Sequence, residues 1–382
     1  MDTLNKYNYW SLLLVILIQI NSTYSQCFNC KQAPVGTIFC DDFEEDIPFN
    51  QKYFEYNNNG GDFIRLAYTG RDSSFGMRVK WQAGEVGAGS LSKSFGKTPD
   101  TYIGKNASRP GENFDEIYWR MDVKAQAGWI GGGPAKLSRA LCLANSNWAE
   151  GMMAHLWSGG MNDYFLGMDP ASGIGLDGKL KSTKYNDFNN LRWLGFKAGK
   201  TAIFNDAYAG TWSCIVGHVK LNTPGQKDGI FEFWINDTLQ ASSSNLDWHS
   251  TWNNDPNTMH INAIFFENYW NNGSPVEQER YMDNLLISTK PIKCACDVTT
   301  QTESAALNAS MHVVPFGSNK IRIQGNLTQF PLHILIYNIN HQIVKEERIS
   351  SPQEFIDLEA LSPGLYILYS KQTGPVKLTI SK

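Results

Sequence analysis

Residues 129–139 read Trp-Ile-Gly-Gly-Gly-Pro-Ala-Lys-Leu-Ser-Arg. Three consecutive glycines allow close approach of backbone or of a ligand. Lys136 and Arg139 follow directly, two cations placed to meet an acidic sugar. The segment is not a phosphate cradle, because no strand-to-helix pattern surrounds it and the lysine is wrongly spaced for one. Further on, the stretch MMAHLWSGG (152–160) carries His155 and Ser158, and Tyr164 follows it. A second kind of chemistry is written in Asp41-Asp42-Phe43-Glu44 and Asp283-Asn284, which stand on the first and last strand signals of the large segment. Carboxylates on neighbouring strands can share an oxygen-ligated Ca²⁺, with Asp42, Glu44 and Asp283 as the ligands. Read without an ion, the same residues are turn and edge charges.

Other chemistries find no support. Glycoside hydrolysis needs two positioned carboxylates, yet Glu116 and Asp122 are spaced wrongly for a paired run on one strand, and Glu232 is followed by Trp234 and Asn236. No Gly-x-Ser-x-Gly nucleophile turn and no His-x-x-x-His zinc spacing is present. The formal charge is 33 − 37 = −4, so there is no basic field for nucleic acid and no polybasic membrane patch. Charged residues make up 18% against 13% aromatics and 33 glycines. That balance fits a β protein with an aromatic surface for sugars.

These side chains must be positioned by strands. GMRVKW (76–81), EIYWRMDVK (116–124), HVKLN (218–222), GIFEFWIN (229–236) and YMDNLLIS (281–288) alternate at period two, and no long amphipathic helix appears. Asn58-Asn59-Gly60-Gly61, Pro224-Gly225 and Asn272-Gly273 punctuate turns. Many strands with polar connections predict an all-β sandwich or jelly roll. Glu116, Tyr118, Arg120, Asp122 and Lys124 share one side of their strand, with Ile117, Trp119, Met121 and Val123 on the other; His218, Lys220 and Asn222 also share a side. Such a polar, aromatic-studded face could form a cleft, and a merely solvated face would give the same pattern.

Residues 10–20 are apolar and too short to span a bilayer. With Lys6 before them and small residues up to Ser25, residues 1–25 predict a secretory signal, and no later segment spans a membrane. Seven cysteines follow: Cys27, Cys30, Cys40, Cys142, Cys214, Cys294 and Cys296. In an exported chain the Cys27/Cys30 and Cys294/Cys296 clusters can staple the large domain, residues 26–297, through disulfides, or hold zinc; the odd count leaves a thiol over. Residues 298–310 read as a polar linker. The remainder, 311–382, carries strand signals at 320–324, 333–338, 365–370 and 376–380, enough for a small Ig-like β-sandwich.

Residues 311–382 resemble the type A C-terminal sorting domain of the type IX secretion system of Bacteroidetes-type bacteria. The carriers are HILIYNINHQIV (333–344), the Leu361…Gly364-Leu365-Tyr366-Ile367 turn, and Lys377 with Lys382; Val314-Pro315 half matches the family's opening, and Asn340-His341 replaces its usual glycine. The resemblance implies export across the outer membrane, the secretion machinery as partner, and a secreted or surface location.

The 129–139 segment, together with VKLNTPGQKDGIFEFWIND (219–237) and Phe265-Phe266…Gly273 ahead of Tyr281-Met-Asp283-Asn284, resembles jelly-roll polysaccharide lyases, the alginate-lyase-like family 14 and related glucuronan lyases. It implies a concanavalin-like jelly roll that cleaves an acidic, uronate-containing polysaccharide by β-elimination with no cofactor required; Ca²⁺ enters only as the structural ion that the acidic clusters could hold. Elimination needs a cation on the carboxylate, a base for the adjacent proton and an acid for the leaving oxygen. Lys136 matches the family's lysine, allowing for two extra residues. Where the family has a strand bearing Arg and Ser, this chain has His155 and Ser158 and no Arg. With Lys136 carried over and Tyr164 falling near a family tyrosine strand, the candidate catalytic set is Lys136, Arg139, His155 and Tyr164, His155 as base and Arg139 or Arg192 as the neutralising cation. Trp129, Arg192, Lys220 and Tyr269 are the candidates for holding the polymer, and the ordinary reading makes His155 a core histidine and Arg192 a surface charge. The alternative is a non-catalytic carbohydrate-binding or adhesin domain on the same fold.

Overall fold

The computed structural model describes residues 29–159, 163–252, 260–294, 311–315, 320–325, 330–338, 342–351, 354–370 and 374–380. The signal segment, Cys27, Cys296, the 298–310 linker, Asn340, His341 and Lys382 lie outside the described residues. The chain divides into two compact units, Met1–Asp297 and Val298–Lys382.

The first unit is a sandwich of two antiparallel sheets. One runs in spatial order β14 (Thr238–Leu246), β13 (Gly229–Ile235), β12 (Ser213–Lys220), β6 (Glu116–Ala125), β16 (Gln278–Ser288), β4 (Gly76–Trp81) and β3 (Phe63–Leu66), and β1 (Thr37–Asp41) also pairs with β16. The other runs β10 (Arg192–Trp193), β9 (Gly167–Ser172), β8 (Glu150–Trp157), β7 (Lys136–Leu143), β15 (Ala263–Tyr269), β5 (Gly87–Ser94) and β2 (Glu55–Asn57), with β11 (Lys197–Ala198) on β9. Runs of consecutive strands are joined in each sheet by neighbours from distant parts of the sequence, β12–β6–β16–β4 in one and β7–β15–β5–β2 in the other, the crossing pattern of a jelly roll.

Period-two alternation decides what is inside. Ile117, Trp119, Met121 and Val123 of β6 enter the core between the sheets, as do Ile264 and Phe266 of β15 and Met152, Ala154 and Leu156 of β8. Burying each such side chain stabilises by roughly 1.5–3 kcal/mol. Near one end of the core Trp129 stacks on Trp270 (centroids 5.4 Å, 11° between planes), and Trp81 meets both edge-on. The polar side of β6 faces outward on the first sheet, where Tyr118 stacks on His218 and His218 bonds Glu116 and Glu232. The glycine-rich lysine segment lies on the second sheet, so this polar face and Lys136 are on opposite sides of the sandwich.

Among the described residues two disulfides are formed, Cys30–Cys40 and Cys214–Cys294. Cys30 and Cys294, one from each end of the domain, therefore pair with cysteines inside it, closing loops of 10 and 80 residues. Cys142 lies outside both bridges, deep in the core, and burial pushes its thiol up to about 12.

The second unit is a small sandwich of its own. β17 (Met311–Pro315), β18 (Lys320–Gly325) and β21 (Phe355–Asp357) form one sheet; β20 (Ile343–Ile349), β19 (Leu332–Asn338), β22 (Gly364–Ser370) and β23 (Gly374–Ile380) form the other. Ile321, Ile323, Ile334, Ile336 and Leu368 close its core.

Candidate functional site

The outer face of the second sheet brings together Lys136, Arg139, His155 and Tyr269. On β15, Phe265, Glu267 and Tyr269 point outward because Ile264 and Phe266 point into the core. On β7 a register shift between Lys136 and Ser138 changes which side each residue takes. Ser138 turns inward to accept a hydrogen bond from Trp119 Nε1 (3.1 Å), and Lys136 joins a cross-strand row of Tyr269, Lys136, Trp157 and Gly167. The next row holds Phe265, Arg139, His155 and Asp169.

One half of this face is roofed. Phe54, Ile103 and Leu191, with Trp148 and Tyr185, pack over Leu141, Leu143, Met153, Ala171 and Phe265. The other half, around Lys136 and Trp157, is open, and Tyr269 and Phe196 are exposed at its sides.

Arg139 sits at the boundary with 0% exposure. Its Nε donates to Glu267 Oε2 (2.6 Å) and Nη2 to Glu267 Oε1 (2.7 Å); Nη1 reaches Asn186 Oδ1 (2.9 Å) and Glu150 Oε1 (3.4 Å), and Nη2 also meets the Tyr185 hydroxyl. Burial works against this charge, and Glu267, Tyr185 and Glu150 together more than offset it, holding the guanidinium above its ordinary value. Burial lifts Glu150 to about 7 despite Arg139 and the Asn186 amide. Every nitrogen of Arg139 is thus committed inside the protein, so it orients Glu267 and Tyr185 rather than reaching the open surface.

Lys136 is the cation that does reach it. Its Nζ lies 4.0 Å from Glu267 Oε1 and 4.6 Å from the centroid of the Tyr269 ring. Burial lowers its pKa, Glu267 raises it and Arg139 lowers it further, for a net decrease. His155 is 5% exposed and stacks on Trp157 (5.3 Å, 20°). Its Nε2 is buried without a hydrogen-bond partner among the described residues. Burial, then Arg139 and Lys136, pushes its pKa well down, which leaves a neutral imidazole at pH 7. Opposite His155, burial raises Asp169 to about 6.

The wall beyond Trp157 depends on glycine. A Cβ on Gly167 would meet the Phe196 ring at 2.5 Å, so only a glycine lets that ring lie against β9 and stand edge-on to Trp157 (6.4 Å, 88°). Tyr164 is exposed in the loop whose Asp163 carbonyl accepts from the Gly133 amide (2.8 Å), so it flanks the glycine-rich entry to β7.

Three of the expected polymer-holding residues are elsewhere. Trp129 is in the core stack and donates to the Gly132 carbonyl (2.9 Å). Arg192 donates to the carbonyls of Ile174 and Asp247 (both 2.9 Å) and pins loops together. Lys220 is exposed at the end of β12, on the other sheet. Conversely, Glu267, Asp169, Trp157 and Phe196 were not singled out. The alternation Phe265-x-Glu267-x-Tyr269 was a usable signal, but the register joining β15 to β7 across some 130 positions was not visible.

The three acidic candidates also separate. Glu44 Oε1 accepts from the Phe75 amide (2.8 Å), and Asp283 Oδ2 from the Arg71 amide (2.7 Å) and Ser74 Oγ (3.3 Å), so both meet the loop 71–75. Asp42 turns away to the Cys30 amide (2.9 Å). Asn284 Oδ1 is buried beside Asp283 with no hydrogen-bond partner among the described residues, an oxygen suited to a hard cation. Among the described residues no three His, Cys, Asp or Glu side chains converge as a metal cluster.

Comparison with known proteins separates the two units. No curated protein matches the chain. Among solved structures, it is similar to the endo-β-1,4-glucuronan lyase of the fungus Trichoderma reesei, at 10% identity and TM-score 0.44 over 66% of this chain and 96% of that one. It is also similar to the alginate lyase vAL-1 from Chlorella virus (15%, TM-score 0.41, 60% and 90%) and to the PL-14 alginate lyase of Aplysia kurodai (15%, TM-score 0.40, 66% and 99%). Residues 317–379 match the secretion system C-terminal sorting domain. Among the described residues no helix is long and apolar enough to cross a membrane. The second unit is thus a type IX sorting tail, which directs the chain to the secretion machinery and so to the cell surface or beyond.

Proposed function

We propose that the open half of the second sheet's outer face binds an acidic polysaccharide and cleaves it by β-elimination. The observation that carries this reading is Lys136, a half-buried ammonium beside the Tyr269 ring, on a face where the nearest arginine is internally committed. Lys136 neutralises the uronate carboxylate. The neutral imidazole of His155 takes the proton next to that carboxylate, and the electrons of that bond form a ring double bond as the glycosidic C–O bond breaks. Tyr269 returns a proton to the leaving oxygen, with Tyr164 as the second phenol at the loop side. No step draws on a cofactor; Glu44 and Asp283 brace the loop 71–75 directly, by accepting from Phe75, Arg71 and Ser74.

The test uses the full chain on alginate, glucuronan and mixed uronate polymers, following the ultraviolet absorbance of the unsaturated uronate. Lys136→Met and Tyr269→Phe are each expected to lower the rate by about 10²–10⁴. An absence of absorbance on every polymer rejects the elimination chemistry. A second reading, glycan binding without cleavage, draws on Glu267, which already faces Lys136 at 4.0 Å and competes with a substrate carboxylate.

A further inference from the structure

The charges and rings of this face do not match a polymer that carries a carboxylate on every sugar. Among the described residues its outward strand positions hold one cation outside the closed ion pairs, the half-buried Lys136, with Glu267 4.0 Å away on β15 and Asp169 two strands across on β9. Arg139 is enclosed in its ion pairs, and Lys197, on the edge strand β11, turns toward the opposite sheet, where it bonds the Ser242 carbonyl. Across β8 and β9 the face becomes aromatic instead. Trp157 leads to Phe196, which lies against Gly167. At the sheet edge Trp193 pairs in register with Ala171, on the same side as Asp169, and its ring meets Phe188 (6.2 Å, 32°). Phe196, Phe188 and Trp193 are 40%, 43% and 48% exposed, so three large apolar rings sit in water at one edge of the sheet. Clustered exposure of this kind marks a binding surface. Flat aromatic faces suit the C–H faces of uncharged sugar rings, whereas a carboxylate placed there would meet Asp169 and the negative faces of the rings.

Resting on the binding reading above, we infer that the chain's substrate is a heteropolysaccharide in which a uronate is bracketed by neutral sugars, rather than a homopolyuronate. The uronate sits at Lys136, and the neutral sugars run across the strands over Trp157 and Phe196 toward Trp193. The carboxylate is recognised once, and the rest of the grip is apolar and insensitive to salt.

The experiment compares retention of the full chain in affinity gels containing gellan, whose glucuronates are separated by neutral sugars, with gels containing glucuronan or alginate. Trp193→Ala and Phe196→Ala, both at exposed rings, are run beside it, with tryptophan fluorescence melts confirming that each variant is folded. The expected result is tightest binding to gellan, falling about tenfold in the double variant. Equal or tighter binding to glucuronan or alginate, or gellan binding that the aromatic variants leave unchanged, overturns the inference. If a homopolyuronate is also cleaved in a Lys136-dependent way, the elimination reading survives that failure. If gellan is held through the aromatic rings and nothing is cleaved, the inference stands and the elimination reading falls. No retention on any polymer overturns the inference, and the absorbance assay decides the elimination reading separately.

Discussion

Replacing Arg139 by leucine removes the cation on which Glu267 and Glu150 both rely. Both Nε and Nη2 contact the Glu267 carboxylate, at 2.6 and 2.7 Å, and Nη1 is shared between Asn186 and Glu150, all with the guanidinium out of contact with water. Breaking a buried pair from one side strands the other charge, which costs about 3–5 kcal/mol. For a domain of this size each kcal/mol moves the melting temperature by a few degrees, so Arg139→Leu should melt roughly 10 °C lower at pH 7. Tryptophan fluorescence is the assay of choice, because the second unit contains no tryptophan and the signal reports the large unit alone. Adding Glu150→Gln and Glu267→Gln removes the stranded charges and should restore at least half of the loss. Acid should also narrow the single variant's deficit, since protonation neutralises the same two carboxylates. A single variant that melts within about 3 °C of wild type would refute the claim that this network holds the face together.

Two further outcomes follow from the same structure. Opening Cys214–Cys294 (Cys→Ser at both positions) should cost about 4–5 kcal/mol and opening Cys30–Cys40 about 3, because the first closes the longer loop; urea titration of the two double variants gives the order, and equal losses would contradict it. Glu150 is raised to about 7 when folded, so the folded state binds its proton more tightly than the unfolded chain does. Stability from this group is therefore full below pH of about 4.5 and declines as pH rises toward 7. Glu150→Gln should flatten that part of the melting-temperature profile, and a variant profile as steep as wild type assigns the slope to other groups.

Local sequence determined the strands that alternate cleanly. GMRVKW is β4 without change, and GIFEFWIN and YMDNLLIS fall on β13 and β16, because period-two burial acts on each strand by itself. The same rule assigned Ile117, Trp119, Met121 and Val123 to the core and the alternate residues to the sheet's other face, where Arg120 and Asp122 are nonetheless buried in ion pairs with each other and Arg71. The tail was legible for a related reason: its strand-turn-strand spacing is contained within a short stretch. Residues 129–139 likewise announced a lysine beside a close-approach loop.

Tertiary structure decided everything that depends on which strands become neighbours. Alternation says that β6 has a polar face but not that this face lies on the sheet opposite Lys136. Trp129, adjacent in sequence to the glycine-rich loop, is taken by the stack with Trp270 and Trp81, since a large ring gains more from the core than from the surface. Arg139 reads as a free cation until β15 delivers Glu267 and the loop after β9 delivers Tyr185 and Asn186. Those partners are distant in the chain, and their meeting is set by strand order and by the register shifts in β7, which no local pattern encodes.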